Sequence, residues 1–217
     1  MGKHKMYQGK TAVFVGDSIT FGLGLQKGEK TYWKILKDTL GFSCVIGCGV
    51  SGSCVSNKSL FSVEPPNLIQ RLKDIPSGDI TLLLMGVNDY NFDTPIGEIS
   101  QEEDVSYYGA WNVVLKQLTQ EKKHGKIVLI TLAPHCRPVE NEVGLTAEDY
   151  IAPIWQLGEK FNLPVMDLNA MLKADFTLKN KDKYLPDGLH PNQEGQLLIA
   201  QKIQQWMEEN ADKILGK

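Results

Sequence analysis

Four short segments, far apart along the 217-residue chain, carry side chains that could do chemistry together. The first is Gly16-Asp17-Ser18-Ile19-Thr20. A serine hydroxyl is a weak nucleophile, so it needs a base to take its proton and donors to hold the oxyanion it creates. A base is offered by Asp187-Gly188-Leu189-His190-Pro191, where a carboxylate precedes an imidazole by three residues. At that spacing the acid can accept one ring N–H, fix the tautomer and leave the other nitrogen free for a serine proton. Donors are offered by Gly86-Val87-Asn88-Asp89, through an uncharged side-chain amide, and by Cys48-Gly49-Val50-Ser51-Gly52, whose glycines let a backbone N–H approach a ligand closely. Each segment taken alone also fits an ordinary structural role: a helix cap or Asx turn at Asp17, a glycine turn at 49–52, an Asn-Asp turn, a structural histidine. His135 competes as base. It has no acid at a comparable spacing and is expected at the pocket rim or on the surface.

A sheet would gather these segments. Five short apolar runs recur between turn residues, at 11–15, 43–46, 80–85, 126–132 and 163–168. Four are continuously apolar, as in strands covered on both faces, and the second is weaker. Helical periodicity lies between them. Trp33, Leu36 and Leu40 share one face, as do Tyr108, Trp111, Leu115 and Leu118. A shorter candidate runs from Pro153 to Phe161, and 193–210 carries Ile199, Ile203 and Trp206 on one stripe. Strands alternating with helices predict an α/β fold, a parallel sheet with helices on both faces, in one domain spanning 1–217. Ligands bind outside the carboxyl ends of the strands in such sheets. The nucleophile, the two donor segments and the acid–base pair each follow a different strand.

This combination resembles the SGNH hydrolases, also called the GDSL-type lipase/acylhydrolase family. The matching blocks are the Gly-Asp-Ser start, a glycine after the second strand, Gly-x-Asn-Asp and the final Asp-x-x-His, and they run from residue 16 to residue 191. The first block reads Gly-Asp-Ser-Ile-Thr where the family pattern ends in Leu. The resemblance implies a three-layer αβα fold around a five-stranded parallel sheet, flavodoxin-like in shape. It implies Ser18 as nucleophile with its own amide in the oxyanion hole, Gly52 as a second amide, Asn88 as a side-chain donor, His190 as base and Asp187 as its orienting acid. Gly49 is the competing glycine. Asp17, Asp89, Tyr90 and His135 are the candidates for the substrate pocket. No cofactor and no metal is called for. The serine lacks the Gly-x-Ser-x-Gly elbow of the α/β-hydrolases.

Composition bounds the partners. With 23 basic and 26 acidic residues the net charge is −3, so there is no broad basic face for nucleic acid or an anionic membrane. The cysteines Cys44, Cys48, Cys54 and Cys136 contain no Cys-x-x-Cys pair and read as reduced, packed thiols. The polar, basic start is followed by no apolar run of signal-peptide length, and no stretch approaches membrane-helix length, so a soluble, cytoplasmic protein is expected. The expected substrate is a small-molecule ester, short-acyl or O-acetyl; Leu60, Phe61 and Val63 in one loop and Tyr90 and Phe92 in the next leave the walls mixed. Three alternatives stand beside ester hydrolysis. The same triad could run an acyltransferase; Asp17, Asp89, Asp187 and His190 could gather a divalent metal for phosphoester hydrolysis; or the chain could be a silent ligand-binding domain. No heptads or interface stripe indicate an oligomeric state.

Overall fold

A computed structural model describes residues 6–57 and 65–216, so Leu60, Phe61 and Val63 lie outside the described residues. Five parallel strands form one sheet: β1 (Thr11–Gly16), β2 (Cys44–Gly49), β3 (Ile80–Leu84), β4 (Lys126–Ile130) and β5 (Val165–Met166). Their spatial order is β2-β1-β3-β4-β5. β1, β3 and β4 are central and covered on both faces, which is why their sequences are unbroken apolar runs. β2 is an edge strand, part-exposed along its length, and its hydrophobic signal is correspondingly weak. β5 keeps only two residues of the 163–168 run.

Helices follow in chain order: α1 (Ser18–Phe21), α2 (Tyr32–Leu36), α3 (Leu68–Arg71), α4 (Val87–Asn91), α5 (Tyr107–Gln120), α6 (Ala147–Lys160), α7 (Leu168–Leu172), α8 (Lys181–Tyr184) and α9 (Gln193–Glu209). α2 packs on α9, whereas α5 packs on α3 and α6. Tyr108, Trp111, Leu115 and Leu118 are buried together on α5, as their spacing predicts. On α9 the buried stripe is Ile199, Ile203 and Met207, with Trp206 only half-buried.

α6 corrects the shorter helix expected from Pro153. It starts six residues earlier, where Asp149 accepts from the Thr146 backbone N–H (2.7 Å) and hydroxyl (2.8 Å). Pro153 therefore sits inside the helix, lacking the N–H that would meet the Asp149 carbonyl. Burial of Tyr150, Ile151, Ile154 and Leu157 around it compensates.

The strand register decides where the chemistry falls. Gly16 is paired in register with Gly49 on one side and Leu84 on the other. Three strands thus end at one level, and Ser18, Gly52 and Asn88 follow within four residues of it. The sheet order reverses between β1 and β3, which opens a crevice above their ends.

Candidate active site

Ser18 opens α1, and Asp17 is its N-cap, accepting from the Ile19 N–H at 2.9 Å. This tight strand-to-helix turn leaves the Ser18 amide among the free donors of a first helical turn. The Ser18 Oγ lies 3.0 Å from His190 Nε2. His190 Nδ1 lies 2.5 Å from Asp187 Oδ2. The other Asp187 oxygen, Oδ1, accepts from the N–H groups of Leu189 (2.9 Å) and His190 (2.7 Å), so the loop itself orients the carboxylate. Burial pushes the Asp187 carboxyl up, but these N–H donors and the imidazole outweigh it and hold it down, to about 2. Asp187 is therefore ionised at neutral pH and accepts the Nδ1 proton, which leaves Nε2 free for the serine hydroxyl.

These groups border a cavity of about 880 Å³. Ser18, Gly52, Asn88 and His190 share its lining with the apolar Leu23, Pro65, Pro66, Phe92 and Leu189 and the polar Ser51, Asn91 and Arg137. Gly52 is the third residue of a turn closed by the Ser53 N–H on the Val50 carbonyl (3.2 Å). Its φ of +75° is the left-handed conformation that this turn reserves for glycine. The Gly52 N–H has no hydrogen-bond partner among the described residues. The rival Gly49 lies instead in β2, where a Cβ would strike the Thr20–Phe21 backbone. Gly49 permits close packing, and Gly52 faces the cavity.

Asn88 is 5% exposed and donates through Nδ2 to the Ser53 carbonyl at 3.0 Å. An amide nitrogen carries two hydrogens, so one remains for a ligand. Asn88→Ala is expected to lower kcat on a simple acetate ester by about a hundredfold or more, roughly 3 kcal/mol, with the melting temperature little changed. Steady-state kinetics and a thermal melt check it; a loss below tenfold would remove Asn88 from the oxyanion site.

The four residues expected in the pocket wall are not among those lining the cavity, and each has a physical reason. Asp17 is occupied as a helix cap. Asp89 is wholly buried, accepting from the N–H groups of Val55 (2.8 Å) and Ser56 (3.1 Å) and from the Ser56 hydroxyl (2.7 Å). It therefore clamps the chain beyond Gly52. Tyr90 faces the core from α4, stacks edge-on against Tyr150 and donates from its hydroxyl to the Pro138 carbonyl at 2.6 Å. Asn88 and Asn91, three apart on the same helix, are the ones that reach the cavity. His135 is half-buried beside the site and does not line the cavity. Its ring packs on Tyr90 at 4.9 Å, its Nδ1 accepts from the Arg137 N–H, and burial pushes its pKa down to about 4. The four side chains of the metal reading do not converge, and among the described residues no group of three His, Cys, Asp or Glu is placed to hold a metal ion.

Burial also raises Asp17, to about 6, against the Ile19 N–H and the charges of His190 and Arg71. A carboxylate with a folded pKa above its unfolded one stabilises the fold below the unfolded value, near 3.8, and loses that contribution as pH rises through about 6. The amount is at most about 3 kcal/mol. Asp17→Asn keeps the cap acceptor and removes the titration. Its melting temperature is expected to fall less than that of the wild type between pH 4 and pH 7, as a thermal melt series would read; equal falls would contradict the assignment.

Residues 14–198 match the model of the GDSL-like lipase/acylhydrolase family. The chain belongs to that family. An acetylxylan esterase from Xylanibacter ruminicola is 28% identical over 215 residues, covering 87% of this chain. The chain spans about two fifths of that curated relative, 41% of its length. A solved structure from Lactobacillus plantarum is 27% identical with a TM-score of 0.80, covering 92% of this chain and 97% of the other. An acetylxylan esterase from Geobacillus stearothermophilus, 20% identical, shares the fold with a TM-score of 0.66 over 93% of this chain and 95% of the other. As a GDSL-family fold, the site differs from the sequence expectation chiefly in its walls. Asn91, Arg137, Leu23 and Leu189 were not singled out, nor was Arg71 beneath the Gly52 turn. The three-residue spacing from Asn88 could have found Asn91; no local pattern marks the rest.

Proposed function

We propose that the protein hydrolyses carboxylic esters of small, water-soluble alcohols, with O-acetylated sugars the favoured class, through an acyl-enzyme on Ser18. The observation that carries this reading is the unbroken Ser18–His190–Asp187 chain at 3.0 and 2.5 Å, on the rim of the cavity that Gly52 and Asn88 also face. His190 Nε2 takes the Ser18 proton as Oγ attacks the acyl carbonyl, and the N–H groups of Ser18, Gly52 and Asn88 receive the oxyanion. Collapse expels the alcohol, which takes the proton from His190. Water then gives a proton to Nε2, attacks the acyl-enzyme and releases the acid, restoring Ser18.

Two observations support the substrate class. The cavity is far larger than an acetyl group needs, so most of it is available to the alcohol portion. Its walls also mix apolar surface with Ser51, whose buried Oγ has no partner among the described residues, and with Asn91 and Arg137. A sugar ring presents that combination of faces and hydroxyls. The acetylxylan esterases similar in sequence and in fold point the same way. A panel of nitrophenyl esters from two to twelve carbons, with acetylated xylo-oligosaccharides alongside, tests this. The expected kcat/KM is highest for two to four carbons, with acetate released from the sugars. A maximum at ten or more carbons would overturn the short-acyl assignment.

A further inference from the structure

We propose that Arg71 is the positioning residue of the oxyanion hole, an inference that rests on the esterase reading above. Arg71 ends α3 and is 7% exposed. Its guanidinium donates from Nη2 to the Cys48 carbonyl, one residue before the end of β2, and from Nη1 to the Ser53 hydroxyl oxygen at 2.9 Å. These two acceptors bracket the segment 49–52 that ends in Gly52. Ser53 extends the tie in two directions. Its hydroxyl donates to the Pro66 carbonyl at 2.8 Å, and its own carbonyl accepts from Asn88 Nδ2 at 3.0 Å. One buried cation is thus joined to Gly52 through the chain and to Asn88 through a single intervening residue.

The residue type follows from the task. A guanidinium cannot lose its proton here, and its planar fork holds two acceptors at a fixed separation, which an ammonium cannot do. Burying it is unfavourable without compensation, and burial does push its pKa down; the Cys48 thiol and the buried Asp17 carboxylate act in the opposite sense. Packing alone would be served by an apolar side chain.

What the fork secures is the place of one turn. The Ser51–Gly52 peptide is the centre of the Val50–Ser53 turn, with φ of +75° at Gly52. Holding Cys48 and Ser53 at a fixed separation limits how far the turn, and the Gly52 N–H with it, can shift relative to the cavity that Ser18 also lines. Fixed donors need no reorganisation as charge develops, which is where an oxyanion hole gains its effect.

The test uses Arg71→Met, Arg71→Lys and Ser53→Ala, each assayed on a simple acetate ester and with a trifluoromethyl ketone that forms a tetrahedral adduct on serine. Arg71→Met is expected to lower kcat on the order of 10- to 100-fold with KM within about threefold, and to raise the ketone Ki by a similar factor. Arg71→Lys should recover little of the loss, because charge without the fork cannot hold both acceptors. In the double variant with Asn88→Ala the combined loss should be smaller than the product of the two single losses. Should Arg71→Met not accumulate as folded protein, Ser53→Ala carries the test, with about a tenfold change in kcat and Ki in protein that remains folded at the assay temperature by thermal melt. A folded Arg71→Met or Ser53→Ala with kcat and Ki within twofold of wild type overturns the proposal, as does a loss confined to KM. Wild type and Ser18→Ala run alongside separate the two readings. If the wild type hydrolyses no ester, or Ser18→Ala matches it, the esterase reading fails and this inference with it; if those controls behave, only Arg71 is in question.

Discussion

Ser18→Ala is expected to lower kcat on nitrophenyl acetate by on the order of 10⁵-fold while leaving the melting temperature and substrate affinity nearly unchanged. The structure explains both halves. Ser18 is 2% exposed, and its Oγ bonds to His190 Nε2, with no contribution to the turn that shapes the rim. That turn is held by Asp17 on the Ile19 N–H and by the Phe21 and Gly22 N–H groups on the carbonyls of Asp17 and Ser18, none of which uses the serine hydroxyl. Removing Oγ therefore deletes the attacking atom and little else. A residual rate above the uncatalysed reaction should remain, because the donors and the cavity still bind and polarise the ester. Full activity in this variant would place the chemistry elsewhere.

Asp187→Asn should be nearly as damaging, about 10³- to 10⁴-fold in kcat, although it changes one atom. The reason lies in how the carboxylate is held. Oδ1 is fixed by the N–H groups of Leu189 and His190, and an asparagine oxygen would satisfy the same two donors. Its NH₂ group must then take the place of Oδ2, facing His190 Nδ1. A donor there demands the tautomer with its proton on Nε2, which cannot accept from Ser18. Raising the pH does not restore the acceptor, so the loss should persist across the pH profile, with the loop intact by thermal melt. A variant within tenfold of wild type would mean that Asp187 does not set the tautomer.

How much of this the amino-acid pattern revealed depended on whether each signal was local. β1, β3 and β4 are buried on both faces, and that burial writes itself as continuous runs such as Ile80–Leu84. β2 gave a faint signal because an edge strand can carry Cys44 exposed and Gly47 in its middle. Pro153 misplaced the start of α6, because tertiary burial of its neighbours outweighs the helix-breaking tendency that local reasoning uses. The chemical residues were legible for a different reason: Ser18, Gly52 and Asn88 each follow a strand end, where the topology concentrates ligand contacts, and Asp187 and His190, which stand beyond α8 and before α9, are marked by their three-residue spacing. The pocket wall was not. Tyr90 and His135 are near the right place in sequence but are turned to each other, with Tyr90 buried in the core, and Asp89 is spent on the 55–56 backbone. Side-chain direction on a five-residue helix such as α4 depends on what packs beside it. Arg71 is the sharpest case, since its two acceptors lie 18 and 23 residues away in sequence.

The most direct test of the central claim is covalent. Purified protein treated with a fluorophosphonate should gain the mass of one adduct per chain, in step with loss of esterase activity, and peptide mapping should put that adduct on Ser18; Ser18→Ala should gain none. The opposite result would be an adduct on another residue, or none at all, in a preparation that still hydrolyses esters and loses that activity to a chelator.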